Sequence, residues 1–170
     1  MDVVHTPVLA EQVLEYLAPG ESALLIDGTV GEGGHSERFL DSFSDITVVG
    51  IDTDELMLNR ARERLAGYGG RFSGYHAWFD AFFAHYPLSR LPDRILLDLG
   101  ISMYHYRASD RGFSFSGEEL LDMRLRGEGR SAADIIADTP EQDLADMIYL
   151  YGEERLSRRI AAAIVKERQN

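Results

Sequence analysis

The sequence predicts an α/β fold, a parallel sheet covered by helices on both faces. Short apolar runs of strand length recur at "ALLID" (23–27), "ITVVGID" (46–52) and "RILLDLG" (94–100), and strands apolar on both sides belong to covered parallel sheets. Segments with apolar residues at helical spacing separate them. A glycine cluster, "DGTVGEGGHS", joins the first strand to the helix after it, where such folds seat ligands.

The elements follow in order. "PVLAEQVLEYL" sets Val8, Leu9, Val13, Leu14 and Leu17 at helical spacing, and Pro19-Gly20 ends that helix. The first strand is "ALLID". After the glycine turn, Phe39, Leu40 and Phe43 share a helical face. "ITVVGID" is a β-branched second strand. Leu58, Ala61 and Leu65 line the next helix, "RFSGYHAWF" is a weaker third strand, and "RILLDLG" is a fourth of the buried type. The pattern changes at Ser102, dividing the chain into a sheet part, 1–101, and a part, 102–170, that is helical apart from "RGFSF". "TPEQ" (139–142) matches a capping box with proline at the first helical position. Leu144, Met147, Ile148 and Tyr151 line the helix that follows; Leu156, Ile160 and Ile164 continue the pattern after Gly152.

A chain of 170 residues with 45% hydrophobic content supports one domain, or one and a part. No run of about 18 apolar residues marks a membrane span, and the N-terminus lacks the basic flank of a signal peptide. The absence of cysteine excludes disulfides and thiolate metal sites and fits a cytoplasmic protein. Net charge is −12, which does not advertise nucleic-acid binding. The acidity is uneven: up to Tyr106 there are seven basic and sixteen acidic residues, from Arg107 onward ten and thirteen. The basic residues are arginines except Lys166. Arginine grips phosphate and stacks on bases, although coding bias produces the same count.

The glycine turn lets backbone approach a ligand while the next helix presents its N–H groups. Asp52 ends the second strand 21 residues after Gly31, about where a Rossmann-like site binds ribose hydroxyls. The dinucleotide fingerprint is imperfect: Ser36 replaces its third glycine, and Glu32 adds negative charge where a pyrophosphate would lie. Both disfavour an NAD-linked oxidoreductase and suit a phosphate-free, positively charged nucleoside such as S-adenosylmethionine. A plain tight turn with a solvated Asp52 is the alternative. Asp27, Asp52 and Asp98 all stand at strand ends. Asp98 is placed to accept a hydrogen bond from a substrate amine, or else caps a turn. The five histidines show no metal-ligand spacing, so no metal is expected.

"HTPVLAEQVLEYL", "DGTVGEGGHS", "GIDTD", "LLDLGIS", "DRGFSFSGEELLDMRL" and "YGEERLSRRIAAAIVKER" together resemble the RsmH (MraW) methyltransferases, which methylate the exocyclic N4 of a cytosine in bacterial 16S ribosomal RNA. The resemblance implies a class I methyltransferase sheet, about four strands of it visible, followed by a helical substrate subdomain. It implies S-adenosylmethionine at Gly31, Gly33, Gly34, His35, Asp52, Phe79 and Asp98, with Phe79 flanking the adenine; without it, Phe79 reads as a core aromatic. The small ribosomal subunit is the implied partner. Arg111, Phe113, Phe115 and Arg124 are the candidate substrate contacts, with Arg126, Arg130, Arg155, Arg158, Arg159 and Lys166 as further basic positions, although such runs also occur as solvated faces.

The family reads D-L-G-V-S-S-x-Q where this chain has "DLGISMYH". Met103 replaces the second serine, and His105 stands at a cofactor-contacting glutamine; taken alone His105 reads as a surface residue. Arg107, Ala108 and Ser109 replace family acids and proline, and Leu121 replaces a proline. Family members are nearly twice as long, and their chain returns after the helical insert to complete the sheet. An apolar fourth strand without outer neighbours is an aggregation template. Its edge is expected to be covered by the chain's own helices or by a second chain, as in a homodimer; otherwise the chain is an inactive fragment or remnant that at most binds cofactor or RNA.

Overall fold

The computed structural model describes residues 7–107, 109–116 and 118–168. His5 and Ala108 lie outside the described residues. The chain runs α1 (Ala10–Tyr16), β1 (Leu24–Asp27), α2 (Gly34–Ser42), β2 (Thr47–Asp52), α3 (Glu55–Arg64), a 3₁₀ turn (Ala66–Arg71), β3 (Phe72–His76), α4 (Phe79–Ala84) and β4 (Arg94–Leu96). Then come α5 (Met103–Arg107), α6 (Ala132–Asp138), α7 (Glu141–Gly152) and α8 (Ser157–Glu167). Two compact units divide it, Met1–Tyr104 and His105–Asn170. Among the described residues no helix is long and apolar enough to cross a membrane.

In the first unit four parallel strands form one sheet in the order β3-β2-β1-β4. The chain leaves β1 toward β2 and β3, then returns to β4 on the other side of β1. The strand order therefore reverses at β1, and the crevice beyond its carboxyl end is where open α/β sheets bind ligands.

Alternation along the strands explains why they read as continuous apolar runs. Leu25 and Val48 join Phe39, Leu40, Ile46, Leu65 and Leu96 on one face, where Val13, Leu14 and Leu17 of the first helix also pack. Leu24, Ile26, Val49 and Ile51 point to the opposite face, against Phe82 of α4. Successive side chains point to opposite faces, so both must be apolar when helices cover both.

Four local expectations change. Val8 and Leu9 are exposed, because α1 starts only at Ala10. The fourth strand is not of the buried type: Leu96 alone is buried, Ile95, Leu97 and Leu99 are exposed, and the strand stops two residues short of Asp98. Strand β4 sits at the sheet edge, paired among the described residues with β1 only, so α4 does not cover it as it covers β1 and β2. Third, "TPEQ" forms no capping box: Pro140 is the N-cap of α7 and accepts no side-chain cap bond. The capping box belongs to α6, where Ser131 and Asp134 exchange bonds. Fourth, α7 runs through Gly152, and Glu153 takes the left-handed cap position.

The second unit is a helical hairpin with an irregular leader. Leu144, Ala145 and Ala161 are its buried centre, flanked by Ile135, Ile148 and Ile164. Tyr151, Leu156 and Ile160, expected on the packed face, are exposed; the two helices meet instead through small residues on α8. The guanidinium of Arg168 donates to the carbonyls of Ile136 (2.7 Å) and Thr139 (2.6 Å), satisfying the end of α6. Residues 109–116 and 118–130 are not helical. Gly112 there has φ +73°, and a Cβ on it would lie 2.5 Å from the Leu120 carbonyl oxygen. That close crossing is what the glycine of "RGFSF" serves.

Gly50 tests the packing around the turn. A Cβ there would lie 2.8 Å from Val30 Cγ2 and 2.9 Å from Phe72 Cε2. Gly50→Ala is expected to destabilise the first unit by about 1–3 kcal/mol. A lowered urea midpoint with unchanged slope is the measurement.

Candidate functional site

The glycine turn crosses the point where the strand order reverses, and four consecutive residues bind it to both neighbours. The Gly28 N–H donates to the Leu96 carbonyl at 2.9 Å, toward β4. Thr29 Oγ1 accepts the Asp98 N–H at 2.7 Å, on the same side. The Val30 N–H donates to the Ile51 carbonyl at 2.9 Å, toward β2. The Gly31 N–H donates to Asp52 Oδ2 at 2.8 Å. The chain then enters α2 through Gly33, the helix N-cap.

The glycines do different work. Gly31 has φ +53° with nothing within 4 Å of a would-be Cβ, so its surroundings are open. Gly33 has φ +83°, and its Cβ would lie 3.1 Å from Leu65 Cδ1 and 3.4 Å from Ala61 Cα. Gly33 therefore lets α2 pack on α3. Gly34 opens α2, and His35 and Ser36 follow it, both buried.

Ser36 is more than a missing glycine. Its hydroxyl donates to Asp27 Oδ2 at 2.8 Å, and the Thr29 N–H reaches Asp27 Oδ1 at 3.3 Å. Asp27 is buried at the end of β1, and desolvation pushes its carboxyl up to about 6 against these two bonds, with help from the charges of Asp52 and Asp98. Asp52 ends β2, its Oδ1 accepting the Asp54 N–H at 2.8 Å while Oδ2 holds Gly31. Asp98 is half exposed, and its Oδ2 lies 3.7 Å from His35 Nε2. Phe79 opens α4 partly buried, and a Cβ on Gly28 would lie 3.5 Å from its own. Gly31, Gly33, Gly34, His35, Asp52, Phe79 and Asp98 thus all fall in the first unit, at or near the carboxyl end of the sheet.

Glu32 is ion-paired with Arg60 at 2.6 Å, and the Arg60 guanidinium lies 4.1 Å from the centre of the Tyr104 ring. Its charge is thereby balanced within the protein, which corrects its expected role of repelling a pyrophosphate. The acids left at the turn are Asp27 and Asp52.

The remaining candidates belong to the second unit. His105 is buried rather than a surface residue, with its ring 5.6 Å from that of Phe113. Arg111 donates to the Leu125 carbonyl at 2.7 Å, and Arg124 grips Asp122 through two nitrogens at 2.8 and 2.6 Å. The bonds from Arg124 hold the Asp122 carboxyl down to about 2. Phe115 is fully exposed. Arg130 pairs with Asp138 and Arg158 with Asp146. These arginines build their own unit before they meet anything else.

Sequence reasoning named Asp27 only as a strand-end acid and passed over Thr29. No periodicity marks Thr29, whose partner lies 69 residues away. Ser36 carried a signal, a hydroxyl nine residues after an acid on a buried strand, but it read only as a broken fingerprint.

A sequence model of the MraW methylase family matches residues 2–170. The chain belongs to the MraW methylase family. Ribosomal RNA small subunit methyltransferase H of Treponema denticola is 53% identical over 171 residues, 99% of this chain and 54% of that protein. The protein of the same name from Borrelia turicatae is 45% identical over 173 residues, 99% of this chain and 58% of that one. The chain thus spans a little over half the length of these relatives. Among solved structures, an rRNA methylase from Streptococcus thermophilus matches with a TM-score of 0.43 at 19% identity, covering 58% of each chain.

For this MraW family chain the buried acid sets a pH signature. The folded-state pKa of Asp27 stands above the unfolded value of 3.8. Its burial therefore costs nothing at low pH, where the group is protonated in both states, and destabilises fully once pH exceeds the folded value of about 6. Between about pH 3 and 7 the parent chain is expected to lose about 3 kcal/mol relative to Asp27→Asn. Unfolding free energies of the two proteins across that range check it.

Proposed function

We propose that this chain binds S-adenosylmethionine beyond the carboxyl ends of β1, β2 and β4. We further propose that it serves methyl transfer to the exocyclic N4 of a cytosine in 16S ribosomal RNA, in the bacterial cytoplasm on the small ribosomal subunit. The observation that carries this reading is the family match over residues 2–170, in a chain whose Asp52 is locked to the glycine turn through Gly31.

The residues fit the cofactor by their chemistry. Asp52 is oriented by two N–H groups, which suits a ribose diol, since a carboxylate accepts several hydrogen bonds. Gly31 leaves open space where a side chain would stand. Phe79, partly buried beside Gly28, offers a ring to an adenine. Gly33, Gly34 and His35 form the start of α2, which completes the cradle; His105 is the proposed replacement for the family glutamine. When bound, the cofactor supplies an electrophilic methyl group on a positively charged sulfur.

The target amine is a weak nucleophile because its lone pair is delocalised into the cytosine ring. Alignment therefore carries much of the catalysis, with about 7–11 kcal/mol available from positioning. Asp98 is the proposed acceptor for the amine hydrogen, concentrating electron density on nitrogen and taking the proton as the new bond forms. Sequence-specific RNA enzymes work on bases freed from their stack. Phe113 and Phe115 are the proposed base platform, on a loop shaped by Arg111 and Arg124.

Cofactor or RNA binding without turnover is a second reading. It is favoured by β4, paired on one side among the described residues, with Ile95, Leu97 and Leu99 exposed next to Asp98. Pairing of that edge with a second copy would appear as a dimer in sedimentation.

Titration calorimetry with S-adenosylhomocysteine and with NADH tests the ligand class. Binding of the first is expected, and binding of NADH alone overturns the assignment. Asp52→Ala is expected to weaken S-adenosylhomocysteine roughly ten- to a hundredfold, the worth of a charged hydrogen bond. Labelled methyl appearing as N4-methylcytosine in small-subunit RNA separates the enzyme from the binder.

A further inference from the structure

We infer that Thr29 is a positioning residue that holds Asp98 in place and thereby ties the seat of the cofactor to the group that handles the amine. The inference rests on the reading of Asp98 given above.

Strand β4 ends at Leu96, so Asp98 has no place in the sheet ladder. Its side chain is half exposed, and Leu97 and Leu99 on either side are exposed as well. Packing therefore does little to locate it. Among the described residues, the main-chain hydrogen bond that anchors segment 97–101 is the one from the Asp98 N–H to Thr29 Oγ1, at 2.7 Å.

Thr29 is well placed for this. Its own N–H is held by the buried Asp27 at 3.3 Å. Its neighbours Gly28 and Val30 are bonded to β4 and β2 respectively. The hydroxyl thus projects from backbone fixed on both sides, and threonine has few side-chain rotamers. A rigid acceptor grips the amide of a loosely packed acid, and the bond joins positions 69 residues apart. The same turn carries Gly31, which orients Asp52. One short segment therefore sets both the carboxylate proposed for the ribose and the carboxylate proposed for the amine.

Thr29→Val keeps the branched shape and removes the acceptor; Thr29→Ser keeps the acceptor. Amide hydrogen exchange on the whole chain reads the tether directly. Exchange at Asp98 is expected to rise about fivefold in the valine variant, the factor matching one hydrogen bond's net contribution, and to stay near the parent value in the serine variant. Methyl transfer to small ribosomal subunits should show kcat lowered about ten- to a hundredfold in Thr29→Val and recovered in Thr29→Ser, with the loss in kcat exceeding any loss in S-adenosylhomocysteine affinity. Unchanged Asp98 exchange in Thr29→Val overturns the tether. Faster exchange with undiminished kcat overturns the positioning role. Undiminished transfer by Asp98→Asn overturns instead the reading of Asp98, and is distinguished because the exchange result does not depend on it.

Discussion

Everything at the carboxyl end of the sheet depends on how the chain crosses from β1 into α2. The turn passes between two strands that both run parallel to β1, and it hydrogen-bonds to each in succession: Gly28 and Thr29 toward β4, Val30 and Gly31 toward β2. Buried backbone groups need partners, and here the partners come from both sides within four residues. That requirement dictates the local composition. Gly31 and Gly33 take left-handed conformations, and Gly33 also lets α2 lie against α3.

The same crossing organises the acids. Asp27 is an unfavourable buried charge, and the Ser36 hydroxyl and the Thr29 N–H offset only part of its desolvation. Asp52 serves the turn and stands at the end of β2. Asp98 is gripped by its amide while its carboxylate remains half exposed. The three carboxylates thus differ in burial and in what holds them. Arg60 balances Glu32, so the turn is less acidic than its sequence reads.

The second unit is held by a different logic. A short apolar seam joins α7 and α8, and the segment leading into α6 is built from side-chain-to-backbone bonds of Arg111, Glu119 and Arg124. Arginines that read as a ligand-seeking patch are, in large part, its internal framework. Phe115 alone among the candidate contacts stands fully exposed.

By itself the sequence determined the order of strands and helices in the sheet part, the parallel sheet, and the places of the glycine turn and Asp52 at strand ends. All of these are written in short-range patterns: apolar runs, helical periodicity, and glycines beside a strand end. Family motifs added Phe79, which no periodicity marks, whereas Asp98 was read from its place after the fourth apolar run. Tertiary structure alone decided that Gly33 serves helix packing, that Ser36 sustains a buried Asp27, that β4 stops before Asp98 and that Thr29 holds it. Each of these rests on a contact between residues distant in the chain, or on what covers an edge strand. Local propensity carries no record of either, because it registers which conformation a segment prefers and not which neighbour will meet it.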